Sequence, residues 1–430
     1  MTANRVGPGA RKTFAILAIV VVSFTANALA GSPAQRLLAT TRALNEVSLP
    51  RTTGAYPVGS ISLHLVDESR PEIFTDDPDD VREFMVHLWY PAVGDSTGER
   101  ADYMDVWNGQ SLADWLLPSL PDLRSYYFLT VTNSAEDVPL ATAEDRFPVV
   151  LFSPGLGITD RAYTVFFEEL ASHGFVVAAI SHAFFSGYTV FPDGTWVVTA
   201  PRPRDDSQAA WLEEHSYIVN QDAAFVLDTL EELDAGDPDG RFTGRLDLAN
   251  VGMFGHSYGG GNSLDMCLLD SRIDAAVDID GGSIYHVDEV GTDRPVMFLL
   301  TPTRWEWFQT IRDTWQRLRG FGLLVTVDGT THISFIDNGW LFTQLVGYEV
   351  MDDDDWRLGT IDPAVLVQIE RAYVLAFFDV HLRGGRIFDL LRLHHRFDAV
   401  EVHRNSYPVV PAPRRSAGRR LFPRSTGARR

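Results

Sequence analysis

Gly255-His256-Ser257-Tyr258-Gly259 is a Gly-x-Ser-x-Gly run between an apolar segment, Val251 to Phe254, and a stretch at Asn262 to Leu269 that reads as a helix. A strand, a sharp turn and a helix are the context a nucleophile elbow requires. The turn strains the serine backbone. Gly255 and Gly259 remove side chains that would clash there, and Gly260 and Gly261 extend the clearance. A serine hydroxyl attacks poorly until a base takes its proton, and the base needs a carboxylate to fix its tautomer. In this fold the chain order is serine, acid, histidine.

Six histidines follow the serine: His286, His332, His381, His394, His395 and His403. Only His332 falls in a loop just past a buried strand, in Asp328-Gly329-Thr330-Thr331-His332. Sites form in such loops at the carboxyl end of a sheet. His381 falls on an amphipathic helix and is expected at the surface. Asp278 and Asp280 both end the strand Ile273 to Ile279. Asp280 lies further out, where Gly281-Gly282 leave the sheet, and is the better acid. Asp278 reads as a packing or capping residue, and Glu306, after the next strand, is the alternative acid.

Hydrolysis also needs two backbone N–H groups aimed at the developing oxyanion. Tyr258, following the serine, supplies one. Leu156, between Gly155 and Gly157 in the loop after Phe147 to Phe152, supplies the other. The flanking glycines permit close backbone approach.

The elements that must position these residues alternate between strand and helix. Strands are expected at Val58 to Val66, Phe84 to Tyr90, Phe147 to Phe152, Phe175 to Ile180, Val251 to Phe254, Ile273 to Ile279, Val296 to Leu300 and Leu323 to Val327. Helices are expected at Arg161 to His173, with Asp160 as N-cap and Gly174 closing it, at Ile218 to Leu233 and at Pro363 to Arg383. Apolar runs such as Phe147 to Phe152 fit strands buried on both faces. The alternation implies an α/β-hydrolase fold, a mostly parallel sheet with helices on both faces. One domain spans residues 45–405. Residues 101–145, with Trp107, Trp115, Leu116, Leu117 and Leu120, form a helical insertion near the site.

The chain has 430 residues, 45% of them hydrophobic, enough for a large core. Arg5, Arg11 and Lys12, the apolar run Phe14 to Phe24 and Ala28-Leu29-Ala30 have the order of a signal peptide over residues 1–30. That implies a secreted protein, extracellular or periplasmic. The apolar run falls short of the roughly 20 residues a membrane span needs. A leader, 31–44, follows. Cys267 is the one cysteine, so no internal disulfide is available, and it reads as a small buried hydrophobe. The formal charge of −22 argues against nucleic acid and anionic membranes as partners. The acidic runs Asp76 to Asp80 and Asp352 to Asp355 lack the spacing of a calcium loop and read as solvated. Residues 406–430 carry Arg414, Arg415, Arg419, Arg420, Arg424, Arg429 and Arg430 among Pro, Gly and Ser, the composition of a disordered basic tail. No metal cluster or cofactor fingerprint is present, and the oligomeric state is not indicated.

Several segments resemble the platelet-activating factor acetylhydrolase family of the plasma (isoform II) type, particularly its bacterial lipase-like members. They are Tyr56-Pro57-Val58-Gly59, Leu63 to Asp67, Leu88-Trp89-Tyr90-Pro91, Phe152 to Gly157, Leu170 to Ala179, Gly255 to Gly260, Asp280-Gly281, His332 with Phe335, and Ala376-Phe377-Phe378-Asp379. The resemblance runs from about Thr53 to about His403. It implies Ser257 as nucleophile, Asp280 as acid, His332 as base, and Leu156 and Tyr258 as oxyanion donors. In this family the acid follows an earlier strand than in most α/β-hydrolases, which favours Asp280 over Glu306. It implies hydrolysis of short or oxidised acyl chains on phospholipids, or of simple esters, with no metal. One position departs: Pro154 stands where the family usually has histidine, and proline lacks an N–H and stiffens the loop.

The expected function is therefore a secreted serine ester hydrolase acting on short acyl esters. Trp107, Trp115, Trp305, Trp307 and Phe308 are candidates for acyl-chain or lipid-surface contact, or for packing under a cap. A polyester- or cutin-type hydrolase is the alternative enzyme, and an inactive secreted binding protein is the alternative outside enzymes.

Overall fold

A computed structural model describes residues 47–94, 98–104, 130–205, 207–346, 358–406 and 428–429. The expected signal peptide, the leader, Trp107, Trp115, Asp352 to Asp355 and nearly all of the arginine-rich tail lie outside them.

The strands, in chain order, are β1 (Val58–Pro71), β2 (Val81–Pro91), β3 (Ser134–Glu136), β4 (Phe147–Ser153), β5 (Val176–Ser181), a small hairpin of β6 (Tyr188–Val190) and β7 (Trp196–Val198), β8 (Leu246–His256), β9 (Ala275–Ile279), β10 (Val296–Leu300), β11 (Gly322–Val327), β12 (Val400–Arg404) and β13 (Ala428–Arg429). One sheet runs β12-β11-β10-β9-β8-β4-β5-β2-β1-β13, with β3 beside β1. From β5 to β11 every pairing is parallel, whereas β1, β2 and β12 join antiparallel. The expected strands are all present; β1, β2 and β8 run several residues longer than expected, and β9 begins two residues later, at Ala275.

Alternation along the central strands divides the core in two. Val150 and Phe152 of β4, Phe254 of β8, and Val277 and Ile279 of β9 face the cluster that holds α1 (Thr164–Ser172). Val149, Leu151, Val251, Met253 and Ala276 face the other way, onto α2 (Gln208–Gly236) and α3 (Tyr258–Leu269). After α3 come α4 (Val287–Val290), α5 (Pro302–Trp307), α6 (Gln309–Arg317), α7 (Asn338–Val346) and α8 (Pro363–Arg383). The last of these packs on the first face, with Phe377 and Phe378 fully buried. Helices on both faces are what short parallel crossovers impose, since each must return over the sheet to start the next strand.

Several local expectations change. His381 is buried, 5% exposed, because the α8 turn that carries it faces Phe321, with Phe377 of the preceding turn packed beside its ring. Burial pushes its imidazole down to about 3. Asp160 does not cap the first helix. It starts a short 3-10 turn, Asp160–Tyr163, and is itself buried. Gly174 does close the helix, at φ +91°. Residues 130–145 of the expected helical insertion form no helix: Ser134–Glu136 are β3, paired with Val58–Ser60 at the β1 edge, and Val131 and Leu140 make isolated bridges to Ser48 and Ala92; residues 105–129 lie outside the description. In the basic tail, Ala428 and Arg429 pair with Val66 and Leu65, further along the same edge of β1 that β3 joins, opposite β2. Asp76, Asp77 and Asp79 are exposed, with Asp77 accepting from the Asp79 N–H. Cys267 is buried and its thiol is pushed up to about 12 by desolvation.

Candidate active site

Every residue of the expected constellation leaves the carboxyl end of a parallel strand: Leu156 after β4, Ser257 after β8, Asp280 after β9 and His332 after β11. Ser257 has φ +56° and ψ −116°, a conformation that glycine favours and other residues enter only under constraint. Two bonds hold it there: its N–H donates to the Ile279 carbonyl at 2.8 Å and its carbonyl accepts from Gly261 at 3.1 Å. The glycines are sterically required. A Cβ on Gly259 would lie 1.9 Å from the Ser153 carbonyl oxygen, and one on Gly255 would lie 2.2 Å from that of Gly259. The elbow is thus wedged against the end of β4, next to the Leu156 loop.

His332 Nε2 stands 2.8 Å from Ser257 Oγ, and His332 Nδ1 stands 2.7 Å from Asp280 Oδ2. The structure therefore joins the three residues in one line. His332 is carried by a tight turn in which Thr331 N–H donates to Ser334 Oγ at 2.8 Å and Ser334 N–H donates to the Thr331 carbonyl at 3.0 Å. Ser334 Oγ in turn donates to the Leu358 carbonyl. Asp280 is 1% exposed, and its Oδ1 accepts from Thr301 N–H at 2.8 Å and Thr301 Oγ1 at 3.0 Å. Burial by itself would raise the Asp280 carboxyl. The hydrogen bond from His332 and the Arg304 charge outweigh it and hold the group below the ordinary carboxylate range.

Arg304 is the site residue that reading the sequence missed. Its Nε donates to the Asp280 backbone carbonyl at 2.9 Å and lies 3.3 Å from Oδ2. Its Nη2 lies 2.9 Å from His332 Nδ1. With the Nδ1 proton directed at Asp280, that contact is a charge against the ring rather than a hydrogen bond. The guanidinium also lies over Phe308, 4.0 Å from the ring centroid, a cation–π arrangement. The signal was available: Thr301-Pro302 directly after β10 starts a helix at the site end of the sheet, and Thr301 caps it by accepting from Arg304 N–H. Glu306, the alternative acid, sits on that same short helix, but its side chain is exposed. Trp305 packs inward against the core cluster of β10 and α6.

Asp278 points away from the histidine. Its Oδ1 accepts from Gly281 N–H at 2.8 Å and lies where a Cβ on Gly260 would come within 2.1 Å. It props the turn, as expected, and burial raises its carboxyl to about 7.

Tyr258 opens α3, so its N–H has no acceptor within the helix. The Leu156 loop is fixed on either side. Gly157 N–H donates to Phe185 O at 2.8 Å, Ile158 N–H to Gly155 O at 2.9 Å, and Ser153 Oγ bonds His182 Nε2 at 3.1 Å. These bonds flank Pro154 on both sides. Leu156 packs with Phe185, Trp211 and Tyr258 in a small apolar cluster, where the Phe185 and Tyr258 rings lie parallel, 6.1 Å apart. Among the described residues no group of acidic, histidine and cysteine side chains is arranged to hold a metal.

Residues 41–390 match the family described as platelet-activating factor acetylhydrolase, isoform II. The chain belongs to that family. Curated members resemble it at low identity over much of its length. Platelet-activating factor acetylhydrolase of Bos taurus is 23% identical over 384 residues, covering 80% of each chain. The enzyme of Cavia porcellus is 26% identical over 281 residues, covering 58% of this chain and 61% of its own. A probable 1-alkyl-2-acetylglycerophosphocholine esterase of Arthroderma benhamiae is 27% identical over 135 residues, 31% of each. A solved ferulic acid esterase from Streptomyces cinnamoneus superposes with a TM-score of 0.67 at 27% identity, covering 83% of this chain and 99% of that one. The family and these relatives make the chain a carboxylic ester hydrolase of the α/β-hydrolase type.

Proposed function

We propose that this esterase works through an acyl-enzyme formed on Ser257, with His332 as general base and then general acid, Asp280 as the group that orients and stabilises the imidazole, and the Leu156 and Tyr258 N–H groups as oxyanion donors. The observation that carries the reading is the unbroken line Ser257 Oγ, His332 Nε2, His332 Nδ1, Asp280 Oδ2, with both gaps at hydrogen-bond length. His332 removes the hydroxyl proton as Ser257 Oγ attacks the ester carbonyl. The carbonyl electrons move onto the oxygen that faces the two N–H groups. Collapse expels the alcohol, which takes the proton from His332. Water then repeats the sequence and releases the acid.

The substrate class we assign is short acyl esters, including the short sn-2 acyl group of a phospholipid. Leu156, Phe185, Trp211 and Tyr258 crowd the space beside the oxyanion donors, which favours a small acyl group. Residues 1–30 carry the order of an export signal, and we assign the enzyme outside the cytoplasm on that ground.

Ser257→Ala tests the mechanism. Turnover of p-nitrophenyl acetate should fall by about 10⁶-fold, the scale for removing a serine nucleophile, and retained activity would sink it. A ladder of p-nitrophenyl esters should show kcat/KM dropping as the acyl chain lengthens beyond a few carbons. A flat ladder would remove the short-acyl assignment and leave the mechanism standing.

A further inference from the structure

His256, the residue before the nucleophile, is fully buried and touches both sides of the site. Its Nε2 lies 2.8 Å from the backbone carbonyl oxygen of His332, and its Nδ1 lies 2.8 Å from the Tyr163 hydroxyl. Tyr163, also fully buried, accepts from the Gly155 N–H at 3.3 Å. The directions of these bonds follow from which groups can donate and from the burial of His256. A carbonyl can only accept, so His256 carries its proton on Nε2. Burial and the neighbouring His332 hold the His256 imidazole well below its ordinary range, so it is neutral and Nδ1 keeps a lone pair. Tyr163 must then donate its proton to Nδ1, which leaves its oxygen to accept from Gly155. The result is a one-way chain: Gly155 N–H to Tyr163, Tyr163 O–H to His256, His256 N–H to the His332 carbonyl.

The two ends of that chain matter. Gly155 adjoins Leu156, whose N–H is assigned to the oxyanion, and His332 is assigned as the base. Space between them is already tight: a Cβ on Gly155 would lie 3.0 Å from His256 Nδ1 and 3.2 Å from the Tyr163 hydroxyl. The His256 and His332 rings lie 4.7 Å apart, centroid to centroid. An error of about 1 Å between base and oxyanion donors costs on the order of 100-fold in rate. These two loops come from β4 and β11, which are not neighbours in the sheet, so strand pairing alone does not set their separation.

We propose that His256 and Tyr163 are positioning residues of this esterase, which fix the oxyanion loop at Gly155–Leu156 relative to the loop of His332 through that directed chain. The proposal rests on the roles assigned above to Ser257, His332 and Leu156. It places their effect in the transition state, where base and oxyanion donors act together, and not in substrate binding.

Tyr163→Phe keeps the ring and deletes the link. On p-nitrophenyl acetate, kcat should fall about tenfold, less than the 10²–10³-fold cost of losing an oxyanion donor outright, while KM stays within about twofold, as loss of a transition-state interaction requires. Inhibition by an arylboronic acid, which forms a tetrahedral adduct on the serine, should weaken by the same factor as kcat/KM. His256→Gln places an amide donor near the Nε2 position but no acceptor for Tyr163, and should match the Tyr163→Phe defect. Tyr163→Phe/His256→Gln should be no slower than the slower single variant, because both break one chain. Wild-type kcat in Tyr163→Phe, a rise in KM alone, unchanged boronate inhibition, or losses that multiply in the double variant would each overturn the proposal. Should His256→Gln fail to fold, the kcat, KM and boronate readings of Tyr163→Phe decide it. Ser257→Ala distinguishes the two levels: an active Ser257→Ala removes the assigned mechanism and this proposal with it, whereas an inactive Ser257→Ala beside a full-speed Tyr163→Phe removes only the chain.

Discussion

Asp278 and Asp280 stand two positions apart at the end of one strand, yet Asp280 Oδ2 meets His332 at 2.7 Å while Asp278 Oδ1 meets the Gly281 N–H, at 2.8 Å. The difference in partners splits their electrostatics. Asp280 has a hydrogen bond from His332 and the Arg304 charge to offset its burial and lies below the ordinary range. Asp278, with weaker compensation, is raised to about 7. Asp280 also turns out of the strand at φ +49°, which aims it along the site rather than across the sheet.

Asp280→Asn should cut kcat by about 10⁴-fold, the scale known for an acid that can no longer hold its histidine in the right tautomer. Asp278→Asn should retain most of its activity and change stability with pH instead. The folded protein holds the Asp278 proton more tightly than the unfolded chain does. Its contribution to stability is therefore complete below about pH 4 and fades as the pH rises towards about 7. The asparagine variant lacks this loss, so its Tm relative to wild type should climb over that window and level off above it. Thermal melts from pH 4 to 8 check this, and a difference that is constant or falls with pH would be the contrary result.

The backbone strain at Ser257 gives a second expectation. Ser257→Gly and Ser257→Ala both lose the hydroxyl and should both be inactive. Glycine accepts φ +56° without a side-chain clash, so Ser257→Gly should be the more stable by about 1 kcal/mol, roughly 2 °C in Tm. Equal melting temperatures for the two would show that the elbow holds little strain.

Behind the Leu156 loop lies a buried charge cluster that should support the fold strongly. Asp222 is fully buried, takes Arg82 Nη2 at 2.6 Å and Arg70 Nη2 at 2.8 Å, and bonds His182 Nδ1 at 2.9 Å; His182 in turn bonds Ser153 at 3.1 Å. Burial would raise this carboxyl, but the two arginines and His182 hold it below the ordinary range. Asp222→Asn leaves the buried Arg82 with Glu72 as its remaining anion and should destabilise by about 3–5 kcal/mol at pH 7. Because the folded carboxyl is depressed, wild type keeps this contribution above about pH 4 and loses it as the pH falls further. Urea melts should therefore show the gap between variant and wild type narrowing in acid. A cost below about 1 kcal/mol at pH 7 would mean the cluster relaxes around the loss.

By itself the sequence determined the order of elements, the elbow and the three residues of the candidate triad. Each carries a local signature: apolar runs of strand length, glycines at fixed offsets around Ser257, and an acid and a histidine placed just past buried strands. Such features depend on residues near one another in the chain, where periodicity and turn chemistry decide the outcome. The tertiary structure decided what depends on distant neighbours. Arg304 belongs to the site because the turn after β10 brings its guanidinium against Asp280 and His332, residues 24 and 28 positions away. His381 is buried because α8 packs that turn onto Phe321. Ser134–Glu136 form a strand because the β1 edge offers backbone partners that no local preference reveals. His256 and Tyr163, 93 positions apart, meet only when β4 and β8 pair and the segment after β4 folds back over the elbow. Burial and the direction of a hydrogen bond are properties of the packed molecule, and no spacing along the chain encodes them.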